Sequence, residues 1–454
     1  MLQVYLSIDK YLIFYCYFCE QIIILGQMCK LNFIDLFAGA GGLSEGFIRA
    51  GFEPVAHIEM DKHACDTLKT RAAYHWLKSQ NKLSVYEKYL LEKKEGEDGS
   101  KLWEQVPKSI IESVIQSEIG KQSINDLFSK IDTLKKGEDV DVVIGGPPCQ
   151  AYSVAGRARM GKAVEDDPRN ELYKYYVKFL VRYKPKMFVF ENVLGIRTAK
   201  NGEPFEDLKR LVNEAGYEME DHIQVASEHG VLQSRKRVII VGWKKYDDNK
   251  EETEYHYPML DKEDNPYQIL EDLFSDLPIR KHGEGKLCEA VEYTKPLVDM
   301  KYLQMSKIRN EISFTTQHIA RPNNENDREI YRRAVEMWIS DRKRINYATL
   351  PEKLQKHKNK KSFLNRFQVV DPFGSCHTVV AHIAMDGHYY IYPTLKPTID
   401  NVRSITVREA ARIQSFSDDY YFEGSRTSAF RQIGNAVPVV LAHRIAEKLK
   451  EQLT

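Results

Sequence analysis

The stretch LNFIDLFAGAGG, residues 31–42, decides the fold. An apolar segment of strand length, with only Asn32 and Asp35 as polar residues, runs straight into a turn of glycines. A segment apolar on both faces belongs in a parallel sheet covered by helices on either side. Glycines at its end let a ligand approach the backbone closely. Glu59 ends the next such run, EPVAHIE, 22 residues after Phe37, the place where an acid hydrogen-bonds a nucleoside ribose in a doubly wound α/β fold. No phosphate-binding Lys-Ser/Thr pair follows the glycines, so the expected ligand is a nucleoside without a triphosphate.

Three further runs repeat the pattern. VDVVI (residues 140–144) leads into GGPPC, MFVF (187–190) leads into ENV, and RVIIVGW (237–243) follows QSRK. Amphipathic helical patterns separate them, around residues 172–182 and 205–215. The alternation predicts an α/β domain with a doubly wound, mostly parallel sheet, its ligands gathered at the carboxyl ends of the strands. A charged stretch at about 70–125 with helical patterning reads as a surface insertion. From about 245 to 400 the alternation is lost and a second, smaller domain is expected, with HTVVAHIAMDGHYYIYP predicted as a hairpin turning at Asp386 and Gly387. Residues 401–454 return to the first domain.

The strand ends carry the candidate chemistry. Cys149, behind two glycines and two prolines in GGPPCQAYS, reads either as a small buried thiol or as a nucleophile held where something must reach it. The glycine-bearing, basic tail after Ser153 favours a lid over an anion. Glu191 in ENV supplies an acid at the end of another strand, and Arg235 and Arg237 in QSRKR suit that acid or a carbonyl oxygen. A carboxylic acid beside a thiol suits attack on an electron-poor ring, the acid protonating a ring nitrogen.

Composition narrows the partners. The 454 residues, 43% hydrophobic and 29% charged, exclude a disordered or fibrous chain. The net charge of +1 conceals a basic block at 301–366, with 16 Lys plus Arg against 7 Asp plus Glu, which suits a polyanion. Seven cysteines in no paired framework point to a reducing, cytoplasmic compartment. Cys16 and Cys19 form a lone CxxC without a second pair at zinc spacing, so no metal site is expected. Residues 1–27 are apolar but interrupted by Asp9, Lys10 and Glu20; the uninterrupted run is shorter than the ~18–20 residues of a membrane span, and the segment reads as an extension upstream of a start at Met28.

Taken together, DLFAGAGG, GGPPCQAYS, ENV, QSRKR, RSITVREAARIQSF (residues 403–416) and RQIGNAVP (431–438) resemble, in order, the sequence blocks of bacterial-type DNA cytosine-5 methyltransferases, over residues 31–243 and 402–454. The resemblance implies S-adenosylmethionine as cofactor, cradled by Phe37, Gly39 and Gly41, with Glu59 on the ribose, Asp126 on the adenine amino group, and Leu172, Asn435 and Val437 completing the pocket. It implies that Cys149 adds to carbon 6 of a flipped cytosine while Glu191 engages ring nitrogen 3, and that Arg237, with Arg235 nearby, contacts the base oxygen and Glu191.

The same resemblance makes 245–400 a target-recognition domain on double-stranded DNA, with His377, Thr378, Asp386 and His388 as candidate contacts. It also implies a monomer, and a cognate restriction endonuclease as functional counterpart. Two other readings stand beside this one. A transfer RNA methyltransferase of the same fold carries Cys-Phe-Thr where this chain's nearest match is Cys376-His377-Thr378, and a non-catalytic DNA-binding relative tends to lose the nucleophile or the acid.

Overall fold

The computed structural model describes residues 30–148, 168–247, 249–357 and 362–454. Cys16, Cys19, Met28, Cys29, Cys149 and Ser153 therefore lie outside the described residues, as does the 1–27 extension. No helix among the described residues is long and apolar enough to cross a membrane.

A seven-stranded sheet forms the centre. In chain order its strands and the helices between them are β1 (Asn32–Leu36), α1 (Gly42–Arg49), β2 (Glu53–Glu59), α2 (Lys62–Ser79), α3 (Leu83–Glu92), α4 (Ser100–Trp103), α5 (Lys108–Glu112), β3 (Val114–Gln116), α6 (Ile124–Leu134), β4 (Val142–Gly145), α7 (Leu172–Tyr183), β5 (Met187–Asn192), α8 (Glu203–Glu214) and β6 (Tyr217–Val225). A short β7 (Gln233–Ser234) precedes the last sheet strand, β8 (Lys236–Lys244). The spatial order is β3-β2-β1-β4-β5-β8-β6. All neighbours are parallel except β8, which runs antiparallel to both β5 and β6. The strand order reverses between β1 and β4, so the crevice for a ligand opens above their carboxyl ends. The mostly parallel sheet expected from the apolar runs is the one observed.

The continuous apolar runs are explained by burial on both faces. Ile34, Leu36, Val143, Phe188, Phe190, Val238 and Ile240 face α6, α7 and α8. Their alternates Phe33, Val142, Ile144, Met187, Val189, Ile239 and Val241 face α1 and the C-terminal helix, α13 below.

Two expectations are corrected. Val114–Gln116 lies inside the stretch read as an insertion, yet it is the edge strand of the sheet, its three residues pairing with His57, Ile58 and Glu59. At three residues it is too short to stand out among charged neighbours. The helices before it do not merely ride on the surface: Tyr74, Tyr86, Tyr89 and Leu90 pack with Ile312, Phe314 and Tyr421, and Lys93 forms a buried ion pair with Glu423 at 2.8 Å. The predicted hairpin does not form either. Cys376–His377 pairs in parallel with β7, residues 381–384 make a helical turn, and Ile391 bridges to Val369 and Ser404. The turn at Asp386 and Gly387 is present, but Val379, Ile383 and Ala384 are all buried, a pattern no half-exposed strand carries.

The rest of the chain adds α9 (Lys301–Met305), α10 (Glu325–Asp341), α11 (Val407–Ile413), α12 (Arg426–Asn435) and α13 (Val439–Leu453). Ile330, Tyr331 and Val335 of α10 form one core with Tyr347, Phe367, Val369, Ile391 and Val402. A second core joins α11 and α12 to residues of the 269–308 and 370–390 stretches. The arginines of RSITVREAARIQSF belong to this interior. Arg412 pairs with Asp276 (2.5 Å) and Asp418 (2.6 Å), Arg403 with Glu409 (2.7 Å), and Arg408 donates to the carbonyls of Thr316, Ser417 and Tyr420. Buried charges persist only when paired and hydrogen-bonded in this way.

Buried titratable groups set a pH dependence. Burial pushes His57 and His318 down to about 4. Each is neutral in the fold and takes up a proton on unfolding below about 6.5, so its stabilisation is present above that pH and is lost as the pH falls toward 4. Asp35 runs the other way: burial raises it to about 8, a bond from Ser44 opposes the shift, and the charge of Glu59 adds to it. Its contribution is lost as the pH rises toward 8. With His377, which burial also holds down to about 4, three histidines against one carboxyl predict a melting temperature that is highest near pH 6.5–7 and falls toward pH 4, with Asp35→Asn flattening the alkaline side. A melting temperature that rises from pH 6.5 to pH 5 contradicts this assignment.

Candidate active site

The site is built at the level where β1 and β4 end side by side, Leu36 opposite Gly145. On one side the chain turns through Phe37, whose φ of 58° is unusual for an aromatic residue. Ala38 donates to the Ile58 carbonyl at 3.1 Å and holds that turn against β2. The next strand end supplies Glu59. Its Oε2 accepts from the Gly39 N–H at 2.8 Å, while Oε1 accepts from the N–H groups of Met60 (2.9 Å) and Asp61 (2.8 Å). Gly39 has a φ of 56° and nothing within 4 Å of where a Cβ would stand, so its face of the loop is open. Three backbone donors thus fix a carboxylate beside an open cradle.

The residues beneath the loop keep it in place. Ser44 donates to Asp35 at 3.0 Å and lies 3.0 Å from His57 Nε2, a chain of buried groups between β1, α1 and β2. Gly41 starts α1, and a side chain there meets Leu68 and Tyr420. Tyr420 donates to the Ala40 carbonyl at 2.5 Å, and the Val437 carbonyl packs on Gly42. Val437 is buried and Asn435, the last residue of α12, is exposed. Leu172, half-buried, opens α7.

Beside β4 the second half of the site forms. The chain leaves β4 through Gly146, Pro147 and Pro148, the last described residues before Cys149. Glu191 lies on the neighbouring strand β5, and because β8 runs antiparallel its first residues meet the end of β5. Arg237 Nε therefore sits 2.8 Å from Glu191 Oε1, both side chains 13% exposed. A Cβ on Gly146 falls 2.9 Å from Glu191 Oε2, so only glycine leaves that carboxylate its position. Asn192 donates to the Pro147 carbonyl at 3.4 Å, tying the loop to β5.

Not every expected residue joins this group. Arg235 is 1% exposed and donates to the carbonyls of Val379 (2.7 Å) and Gly434 (3.4 Å), which ties the C-terminal part of the chain to the sheet. Asp126 stands in the first turn of α6, 61% exposed and paired with Lys130 at 2.7 Å. The acid that follows the end of β3, next to Glu59, is Glu118; Ser117 donates to the Glu59 carbonyl at 2.8 Å. Reading β3 as a strand would have found it. Tyr420 lies outside every quoted block and carried no signal, and Gly146 carried none beyond its own block.

The described cysteines are poor nucleophiles. Burial raises Cys65 to about 12 and pushes Cys288 and Cys376 upward as well. His377 is held against the Tyr389 carbonyl at 2.5 Å, Thr378 donates to the Ser234 carbonyl, Asp386 accepts from the His388 N–H, and the Tyr331 hydroxyl lies 2.8 Å from His388 Nδ1.

With this geometry, comparison with known proteins is decisive. The family model described as C-5 cytosine-specific DNA methylase matches residues 31–90 and 103–451. The chain belongs to this family. Among its relatives are a type II methyltransferase of Bacillus paralicheniformis, 39% identical over 92% of this chain and 98% of its own length, and one of Desulfomicrobium norvegicum, 31% identical over 92% and 88%. In fold it is similar to a prophage-encoded DNA modification methyltransferase from Escherichia coli (TM-score 0.58, 23% identity, 93% of this chain and 99% of that one) and to a methyltransferase of Entamoeba histolytica (TM-score 0.52, 14% identity, 94% and 99%).

The protein is thus a DNA cytosine-5 methyltransferase, of a family and fold that imply S-adenosylmethionine as methyl donor. The open cradle at Gly39 and the fixed Glu59 carboxylate fit that cofactor. In this methyltransferase Gly146→Ala is predicted to displace Glu191 and to lower methyl transfer by at least tenfold, ~1.4 kcal/mol, with the melting temperature nearly unchanged. Full activity of that variant contradicts the packing argument.

Proposed function

We propose that this chain methylates carbon 5 of cytosine within a specific duplex DNA sequence, through a covalent bond from Cys149, as the modification enzyme of a restriction system. The observation that carries this reading is the Glu191–Arg237 pair lodged against Gly146, three residues before Cys149.

In this mechanism the Cys149 thiolate adds to carbon 6 of the target base. Glu191 holds a proton at ring nitrogen 3, which draws electrons into the ring and leaves carbon 5 nucleophilic. Arg237 fixes the orientation of the Glu191 carboxylate and offers its remaining N–H groups to the base oxygen. S-adenosylmethionine, when bound, supplies an electrophilic methyl group for carbon 5. Loss of the carbon 5 proton then expels Cys149 and restores the ring. A thiolate cannot reach carbon 6 within the base stack, so the cytosine leaves the duplex at a cost of a few kcal/mol.

Phe37, Gly39, Glu59, Leu172, Asn435 and Val437 hold the cofactor in this reading, with Glu118 taking the place first given to Asp126. Gly41 and Arg235 act through packing: Gly41 lets α1 start against Leu68 and Tyr420, and Arg235 ties in the C-terminal segment. The segment 245–400 is the target-recognition part. Lys343, Arg344, Lys353 and Lys356 are exposed there and suit the phosphate backbone, whereas Arg309, Arg332 and Arg342 are paired with carboxylates of the same chain. The type II names of the relatives support a restriction–modification role with a cognate endonuclease as counterpart.

The test is transfer of labelled methyl groups to duplex DNA and to transfer RNA, followed by bisulfite sequencing of the DNA product. The expected result is 5-methylcytosine at one DNA sequence, background transfer for Cys149→Ser, and a loss of about 10²–10⁴-fold for Glu191→Gln. Label entering transfer RNA alone, or full activity of Cys149→Ser, contradicts the proposal.

A further inference from the structure

Asp327, His357 and His388 come from three separated parts of the chain, yet each brings a ligand atom to a cluster in which all three lie within 4.8 Å of one another. All three are half-buried. Among the described residues they share no hydrogen bond with each other, so three lone-pair donors converge without using one another. We propose that they form a zinc site, one that binds independently of the methyl-transfer chemistry.

The groups around the cluster orient it. Asp327 stands in the first turn of α10, where the capping residue Asn324 accepts from its N–H (2.8 Å) and donates to its Oδ2 (2.7 Å), leaving Oδ1 for an ion. One turn further on, Tyr331 Oη lies 2.8 Å from His388 Nδ1, so in the tautomer whose Nδ1–H donates to that oxygen Nε2 keeps its lone pair for an ion. A metal-bound histidine usually donates its other ring N–H in this way. The backbone N–H of His357 donates to Tyr347 Oη at 2.8 Å, and the rings of His357 and His388 stand at 86° with Phe367 packed against both.

Charge also permits a cation. The nearby Arg321 guanidinium is turned to the carbonyls of Ile383 and Met385, and Asp386 adds a second negative charge beside His388. Two imidazoles and one carboxylate are a donor set for zinc. Zinc ligand atoms stand ~3.4 Å apart for bonds of about 2.1 Å. Closing the cluster therefore asks for side-chain movements of about 1 Å, within the range of ordinary rotamer adjustment. The ion would join the start of α10, the stretch before residue 358 and the stretch at 386–391 into one body. Their separation in sequence, 30 and 31 residues, hides the site from any reading of local spacing.

The experiment uses the tag-free full-length protein, stripped with EDTA and then offered zinc or magnesium. Zinc is expected to bind at about one ion per chain by elemental analysis and to raise the melting temperature, and magnesium to do neither. His388→Ala and the near-isosteric Asp327→Asn, which keeps an acceptor for Asn324, are each expected to weaken zinc binding at least tenfold. Asp327→Asn carries the test if His388→Ala does not fold. Failure of the wild type to bind zinc, or unchanged binding in Asp327→Asn, overturns the proposal. Because binding and melting are read without DNA or methyl donor, neither outcome depends on the catalytic assignment.

Discussion

One reversal of chain direction builds the candidate active site. Had β8 run parallel to β5, as β4 does on its other side, its first residues would lie at the far end of the sheet from Glu191. Running antiparallel, it starts where β5 ends and sets Arg237 at 2.8 Å from Glu191. The pair is neither exposed nor sealed. It is shielded enough for the attraction to exceed that of a surface pair, and open enough for a substrate to reach it. Gly146 and the loop leading to Cys149 are then shaped around the carboxylate.

The cofactor half depends on the same sheet edge through different forces. Glu59 is held by three backbone N–H groups, Phe37 by the end of β1, and the glycine loop by the Tyr420 hydroxyl from far along the chain. That last bond explains why residues 403–438 return to the sheet. Their buried arginines bind carboxylates and carbonyls of neighbouring stretches, and the whole unit presses on the start of α1. Arg403, Arg408 and Arg412 are therefore no sign of a DNA contact.

Much of the fold was legible because parallel strands covered on both faces write themselves as continuous Val/Ile/Phe runs. Leu31 to Phe37 and Val140 to Ile144 are such runs, and both were read correctly. Short or irregular pairing was not legible. Val114–Gln116 has only three residues, and the 376–391 stretch pairs through isolated bridges whose partners are distant. Of the candidate site, the strand-end positions of Glu59, Glu191 and Arg237 were readable because each closes or opens an apolar run. Arg235 misled because its motif neighbour Arg237 is placed two residues along a strand start, and one of the two turns into the interior. Asp126 misled because β3, which fixes the strand end, had been missed.

The central claim is that the loop beyond Gly146 delivers a nucleophilic Cys149 to a cytosine held by Glu191. Duplex DNA with 5-fluorocytosine at the target position tests it most directly, since carbon 5 then has no proton to lose and the enzyme cannot be released. The account predicts a covalent complex that needs S-adenosylmethionine and maps by mass spectrometry to the peptide containing Cys149. A complex mapped to another residue, or none formed by protein that methylates ordinary DNA, contradicts it.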